Sequence, residues 1–216
     1  MGPSIHLDGM SLSLNRVQLL PTINATFAAG QLHAITGPNG AGKSSLMKSV
    51  LGLLPHQGCI QRHWSGAIGN TAYVPQQTAF EPSLPVTVQE FMLGSLNRRP
   101  FFGRRNPADL QQIETLLQRV GMETKGHLRL GQLSGGERQR LLFAQALERN
   151  SLFWCLDEPM NGLDQQAQAL ISDEIEVLRS KGATLLVIHH DPDWVADHAD
   201  QIWRVENGLQ PIGAQH

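Results

Sequence analysis

The chain has 216 residues, 41% of them hydrophobic and 17% charged, with a formal net charge of -2. This composition excludes a disordered or low-complexity chain, and the near-neutral balance speaks against a dedicated nucleic-acid binder. A chain of this length can bury a substantial core without metal or disulfide staples.

The start, Met1-Gly2-Pro3-Ser4, has no positive cluster leading into an apolar stretch, so no secretory signal is expected. No apolar run approaches the roughly 18 residues that cross a bilayer. The expectation is a soluble, cytoplasmic chain that needs another polypeptide for any membrane-spanning role. The first element read is a short strand over Leu32–Thr36, followed by a glycine-rich turn from Gly37 to Gly42 and a helix from Lys43 to Leu51. Thr71–Val74 is a second strand, stopped by Pro75. Helices are predicted over Val88–Leu96, Pro107–Val120 and Gly135–Leu147, with no strand between them. Phe153–Leu156 and Thr184–Ile188 are continuous apolar runs, the pattern of strands buried on both faces of a parallel sheet. Cys155 lies in the first of these runs, far from Cys59, and reads as a small buried thiol rather than half of a disulfide. Gln201–Val205, leading into Glu206-Asn207-Gly208, is a late strand entering a turn. The expected architecture is an α/β core from residues 1–84 and 151–216 with a helical subdomain, 85–150, inserted into it.

Three segments carry chemistry. Gly37-Pro38-Asn39-Gly40-Ala41-Gly42-Lys43-Ser44 fits the phosphate-loop spacing and stands in the strand–turn–helix context such a loop needs. Its glycines let backbone N–H groups turn inward around phosphates, and the following helix aims its positive end at the same oxygens. Lys43 would reach the outer phosphates and Ser44 would ligate magnesium. Asp157 and Glu158 follow the Phe153–Leu156 strand. A carboxylate there holds magnesium, directly or through water, and its neighbour is placed to orient or deprotonate an attacking water. In Leu133-Ser134-Gly135-Gly136-Glu137, Ser134 and Glu137 have the spacing of a capping box. The two glycines leave that helix terminus open to close approach, which suggests a second anion site.

Leu133–Glu137 resembles the signature of ABC ATPases. Tyr73-Val74-Pro75-Gln76 resembles the family's glutamine loop, Glu158–Asp164 the join of the second carboxylate motif to the aspartate loop, and Ile188-His189-His190-Asp191 the switch-histidine segment. These segments appear in the family's order across nearly the whole chain, and the fold implied is a P-loop NTPase of the ABC type. The resemblance implies that two copies face head to tail, with ATP and Mg2+ between the phosphate loop (Gly37 to Ser45) of one and the signature of the other. It implies that Gln76 contacts magnesium and the attacking water and couples to a membrane subunit. It also implies that Asp164 links the two sites and that His190 contacts the γ-phosphate. Ser134, Gly135 and Gly136 would then meet the γ-phosphate held by the partner copy. His190 rather than His189 is selected because the family places its histidine directly before the aspartate, and adjacent strand residues point to opposite faces.

Some features depart from the family or distract from it. Residues 12–20 lack the aromatic that usually stacks on adenine, which leaves Leu14 or Arg16 to cover the base and puts strict preference for ATP over GTP in doubt. Ser45 stands where Thr is more usual. His56, Cys59 and His63 have a metal-like spacing but read as scattered loop and strand residues. Arg98, Arg99, Arg104 and Arg105 beside Phe101 and Phe102 read as a surface loop, not a nucleic-acid patch.

The resemblance implies an ATP-hydrolysing subunit that powers a transporter. Its partners would be integral membrane permease subunits and an extracytoplasmic substrate-binding protein, and its place the inner face of the membrane. Pro85–Gly94, the arginine-rich loop after it and His189-His190-Asp191 look like importers of metal cations such as zinc or manganese, with siderophore and cobalamin importers sharing some traits. The alternative is a soluble ABC ATPase without a transport role, of the cluster-assembly kind.

Overall fold

The computed structural model describes residues 1–14, 17–76, 84–96 and 106–212, and of Leu14 only the backbone. The strands are β1 (Ser4–Leu14), β2 (Val17–Phe27), β3 (Leu32–Thr36), β4 (Gln57–His63), β5 (Thr71–Val74), β6 (Phe153–Asp157), β7 (Thr184–Ile188), β8 (Gln201–Val205) and β9 (Leu209–Ile212). The helices are α1 (Lys43–Val50), α2 (Val88–Leu96), α3 (Pro107–Arg119), α4 (Gly135–Glu148), α5 (Gln165–Ser180) and α6 (Pro192–His198). Every element read from the sequence is present, with ends shifted by at most one residue. By contact the chain divides into two compact units, residues 1–73, 151–158 and 176–216, and residues 74–150 and 159–175.

A six-stranded sheet runs in the order β5-β6-β7-β3-β8-β9. In it β6, β7, β3 and β8 are parallel and β9 closes the edge antiparallel. The strands β6 and β7 are buried at every position, which is why their sequences are continuously apolar. The register sets Asp157 beside Ile188 and Ile188 beside Ile35. The loops that leave β3, β6 and β7 therefore emerge together at one edge, the carboxyl edge where ligands of open α/β sheets bind.

A second, three-stranded antiparallel sheet has the order β2-β1-β4. Its β1 turns Ile5, Leu7, Met10 and Leu12 into a cluster with Phe27, Ile35, Met47, Phe153, Leu186 and Trp203. The step from Leu7 to Met10 breaks strict alternation, because the register shifts there around Gly9, whose φ is 58°. Burying each large apolar side chain of this cluster contributes about 1.5–3 kcal/mol.

In the other unit, α2, α3 and α4 pack on one another. Thr87 and Glu90 cap the start of α2 reciprocally: each backbone N–H donates to the other's side-chain oxygen, at 2.9 Å and 3.2 Å. Asn106 caps α3 by accepting from the Ala108 N–H, with Pro107 at the first helical position. The guanidinium of Arg119 grips both carboxylate oxygens of Glu174.

His33 of β3 is fully buried. Its Nε2–H donates to the Ala28 carbonyl at 2.8 Å, and its Nδ1 accepts from the Trp203 indole N–H at 3.4 Å. Both contacts suit the neutral ring, and burial lowers its pKa below the ordinary 6.5. The unfolded chain thus binds a proton that the folded chain resists. This contribution to stability is present above pH 6.5 and is lost as pH falls towards the folded value. Replacing His33 by Phe is expected to flatten the decline of melting temperature between neutral pH and about pH 5. An unchanged slope would contradict this assignment.

Candidate active site

The turn between β3 and α1 winds through glycines at positive φ: Gly37 at 134°, Gly40 at 80° and Gly42 at 97°. A Cβ at Gly37 would lie 2.3 Å from the Val205 carbonyl oxygen, so no larger residue fits there. The side chain of Lys43 curls back over the loop and donates from Nζ to the carbonyls of Gly37 and Pro38, both at 2.9 Å. Its ammonium is held at the centre of the loop by acceptors that phosphate oxygens can replace. Gly42 offers no side chain to cap α1, and the first turn carries no acidic residue, so the positive end of the helix faces the same space.

Ser44 donates from Oγ to Asp157 Oδ1 at 3.1 Å. Burial pushes the Asp157 carboxyl above its usual range; the Ser44 hydrogen bond opposes this, Glu158 adds to it, and Lys48 and Lys43 pull the other way. A hydroxyl and a carboxylate oxygen that touch one another form a hard-oxygen donor set of the kind magnesium prefers. Tyr73 is pushed up to about 12 by its burial and by the negative charge of Asp157, so it stays a neutral phenol.

Glu158 follows with φ of 51°, and its N–H donates to the Ile188 carbonyl at 3.1 Å. That backbone bond ties the carboxylate to the end of β7. Its Oε2 lies 3.0 Å from His190 Nε2, with Glu158 nearly buried and His190 half exposed. His189 turns away and stacks on Trp194, ring centres 4.4 Å apart; burial lowers its pKa. Both histidines lie beyond the end of β7. The turn into α6, rather than strand alternation, separates them.

The second unit gathers another set. Gln76, Ser134, Gly135, Gly136, Asn161 and Asp164 line one cavity of about 620 Å³. The capping box expected at α4 is formed: Ser134 Oγ accepts from the Glu137 N–H at 3.2 Å, and Glu137 Oε2 accepts from the Ser134 N–H at 2.8 Å. The Ser134 backbone bond, aided by Lys125 at 3.1 Å, holds the Glu137 carboxyl below its usual range. A Cβ at Gly135 would meet open space, and one at Gly136 would press on the Gly162 carbonyl at 3.0 Å. Gln139 donates to the Pro75 carbonyl at 3.2 Å, which fixes the residue before Gln76 to the signature helix. Asp164 Oδ1 accepts from the Ala167 N–H at 2.8 Å, at the start of α5.

Beside the phosphate loop lies a further cavity of about 640 Å³, lined by Leu19, Pro21, Asn39, Ala41, Glu206 and Asn207 among others, with no aromatic among the described residues that line it. In the sequence Glu206-Asn207 signals only a turn; nothing in its composition marks its place beside the loop. The side chain of Leu14, together with Asn15 and Arg16, lies outside the described residues, as do Arg98, Arg99, Phe101, Phe102, Arg104 and Arg105. His63 packs edge-on against His6 at 4.7 Å, and Cys59 is exposed on β4. Cys155 is a buried free thiol, raised in pKa by that burial. Among the described residues no helix is long and apolar enough to cross a membrane.

A strand, glycine loop and helix of this geometry, beside a strand that ends in a carboxylate, define a P-loop nucleotide hydrolase. A family model described as ABC transporter matches residues 20–161. The manganese transport system ATP-binding protein MntB of Halalkalibacterium halodurans is 36% identical over 217 residues, covering 99% of this chain and 87% of that protein. The zinc import ATP-binding protein ZnuC of Chromohalobacter salexigens is 35% identical over 200 residues, covering 92% and 78%. Among solved structures, a dimeric ATP-binding cassette in a post-hydrolysis state bound to ADP and Pi superposes with a TM-score of 0.83 at 19% identity, covering 98% of this chain and 99% of the other. The chain belongs to the ABC transporter family and is an ATP hydrolase of the ABC type.

The capping box makes one consequence measurable. Ser134→Ala is expected to cost about 1 kcal/mol of unfolding free energy in chemical denaturation, and Ser134→Thr much less. Equal stability of Ser134→Ala and the parent would contradict the cap.

Proposed function

We propose that this chain is the ATP-hydrolysing subunit of an importer of divalent metal cations, zinc or manganese. The observation that carries the hydrolytic part is the joint presentation, at one sheet edge, of the Lys43 loop, the Ser44–Asp157 pair and the Glu158–His190 pair. The metal cargo rests on the relatives, whose names are those of manganese and zinc transport subunits.

In this reading the backbone N–H groups of residues 37–45 and the Lys43 ammonium bind the β- and γ-phosphates of ATP. Ser44 and Asp157 would hold Mg2+, with Gln76 as the further contact that the family resemblance implies, and the ion would neutralise charge on the phosphate oxygens. Glu158, nearly buried and fixed by its backbone to β7, orients the attacking water and takes its proton on a carboxylate oxygen. His190 holds Glu158 in place and reaches the γ-phosphate. A second copy of the chain faces the first head to tail. Its Ser134, Gly135 and Gly136 supply an uncrowded helix N-terminus to the γ-phosphate, and Asp164 links the two sites. Integral membrane permease subunits span the bilayer, so the chain sits on the inner face of the cell membrane. An extracytoplasmic substrate-binding protein delivers the cation.

Three measurements test this reading. Lys43→Ala is expected to lose nucleotide affinity in titrations with a fluorescent ATP analogue; unchanged affinity would remove the loop from the site. Glu158→Gln is expected to keep ATP binding while turnover falls by about 10²–10⁴; undiminished turnover would refute its role. Expressed with its permease and reconstituted in vesicles, the chain is expected to drive ATP-dependent uptake of radioactive zinc or manganese. Purification with soluble assembly proteins alone would sink the transport reading.

A further inference from the structure

His190 is half exposed, yet it meets Glu158 at 3.0 Å. A side chain with that much freedom holds one direction only if its backbone is fixed on both sides. On one side Ile188 is fixed, paired with Asp157 in the sheet and accepting the Glu158 N–H. On the other side the fixing groups are aromatic. The His189 ring lies flat on Trp194, at 4.4 Å and 21° between planes. Trp194 in turn lies flat on His198, at 4.5 Å and 11°. The indole thus stacks with two imidazoles and is nearly buried.

Polar bonds close the same turn. The Asp191 N–H donates to His189 Nδ1 at 3.1 Å. The Asp191 Oδ1 accepts from the Asp193 N–H at 3.0 Å and the Trp194 N–H at 3.5 Å. His198 Nδ1 lies 2.8 Å from the Trp194 carbonyl. The residue before His190 and the residue after it are therefore both bound to α6, and His190 between them is left to face Glu158.

We propose that His189 and Trp194 form an aromatic clamp that positions His190 on Glu158, which makes His189 a positioning residue for hydrolysis. This rests on the role given to His190 above. His189 is suited to that task because a flat ring covers the indole while Nδ1 closes the turn; an aliphatic side chain does neither.

The test compares His189→Ala, His189→Phe, His190→Ala and the double alanine variant. His189→Ala is expected to lower kcat about tenfold with KM for ATP nearly unchanged, because only the alignment of His190 is lost. His189→Phe, which keeps the stack, is expected to recover most of that loss. In the His190→Ala background, removing His189 should have no further effect. A second readout needs no turnover: in the nucleotide-free chain, Glu158→Gln should shift the His190 ring resonances in proton–nitrogen spectra, and that shift should vanish when His189 is Ala. Full kcat in His189→Ala beside a severe loss in His190→Ala would overturn the clamp while leaving the site reading intact. So would equal losses with and without His190, the mark of a merely structural residue. Full turnover in His190→Ala would instead overturn the role of His190 and the clamp with it.

Discussion

Asp157 is a carboxylate buried at the end of a fully apolar strand, and the hydrogen bond from Ser44 is what makes that position tolerable. A buried charge is costly unless it is paired or bonded. Here burial raises the carboxyl's pKa, and the Ser44 hydroxyl with the Lys48 and Lys43 ammoniums pulls against it. The bond also does geometric work. It links the first turn of α1 to the tip of β6, and so sets the glycine loop against the carboxylate pair. The polar groups whose burial is costly at this corner are the same ones proposed to meet a magnesium-bound phosphate.

The neighbouring pair follows from the same sheet. Parallel register delivers β7 beside β6, the Glu158 N–H closes on the Ile188 carbonyl, and His190 arrives within reach of the Glu158 carboxylate. The other unit is built differently. Among the described residues its cavity is lined by no lysine; it combines a capped helix N-terminus, two glycines, the side chains of Gln76, Asn161 and Asp164, and Arg138 and Arg140. Such a half-site has donors for an anion but no loop of its own to hold one. That asymmetry between the units is the physical content of the proposal that two copies complete each other.

Much of this was legible in the sequence, for identifiable reasons. The glycine spacing before Lys43 and the unbroken apolar runs of β6 and β7 have few other structural meanings, and Ser134 with Glu137 announced its capping box. The antiparallel sheet was not legible. In β1 the buried positions slip from Leu7 to Met10 at Gly9, so neither a strand nor a helix period runs through the segment. Helix α5 carries its buried Ala167, Ile171 and Ile175 at helical spacing, but among so many polar residues that the stripe is thin. The seven-residue α6 is too short to show a period at all. The pairing of Glu158 with His190 spans a helix and a strand, and only tertiary structure brings it about. The family position before Asp191 singles out His190, but strand alternation does not separate it from His189, because β7 ends at Ile188; the stack on Trp194 accounts for where His189 goes instead.

If one nucleotide site is shared between two copies, as proposed, differently damaged copies should complement each other. Subunits carrying Lys43→Ala are mixed with subunits carrying Ser134→Arg, each inactive alone, and ATP hydrolysis of the mixture is measured. A mixed pair holds one site with an intact phosphate loop facing an intact signature, so activity well above either parent is expected. No activity in the mixture, with mixed pairs verified by two different affinity tags, would contradict a shared site.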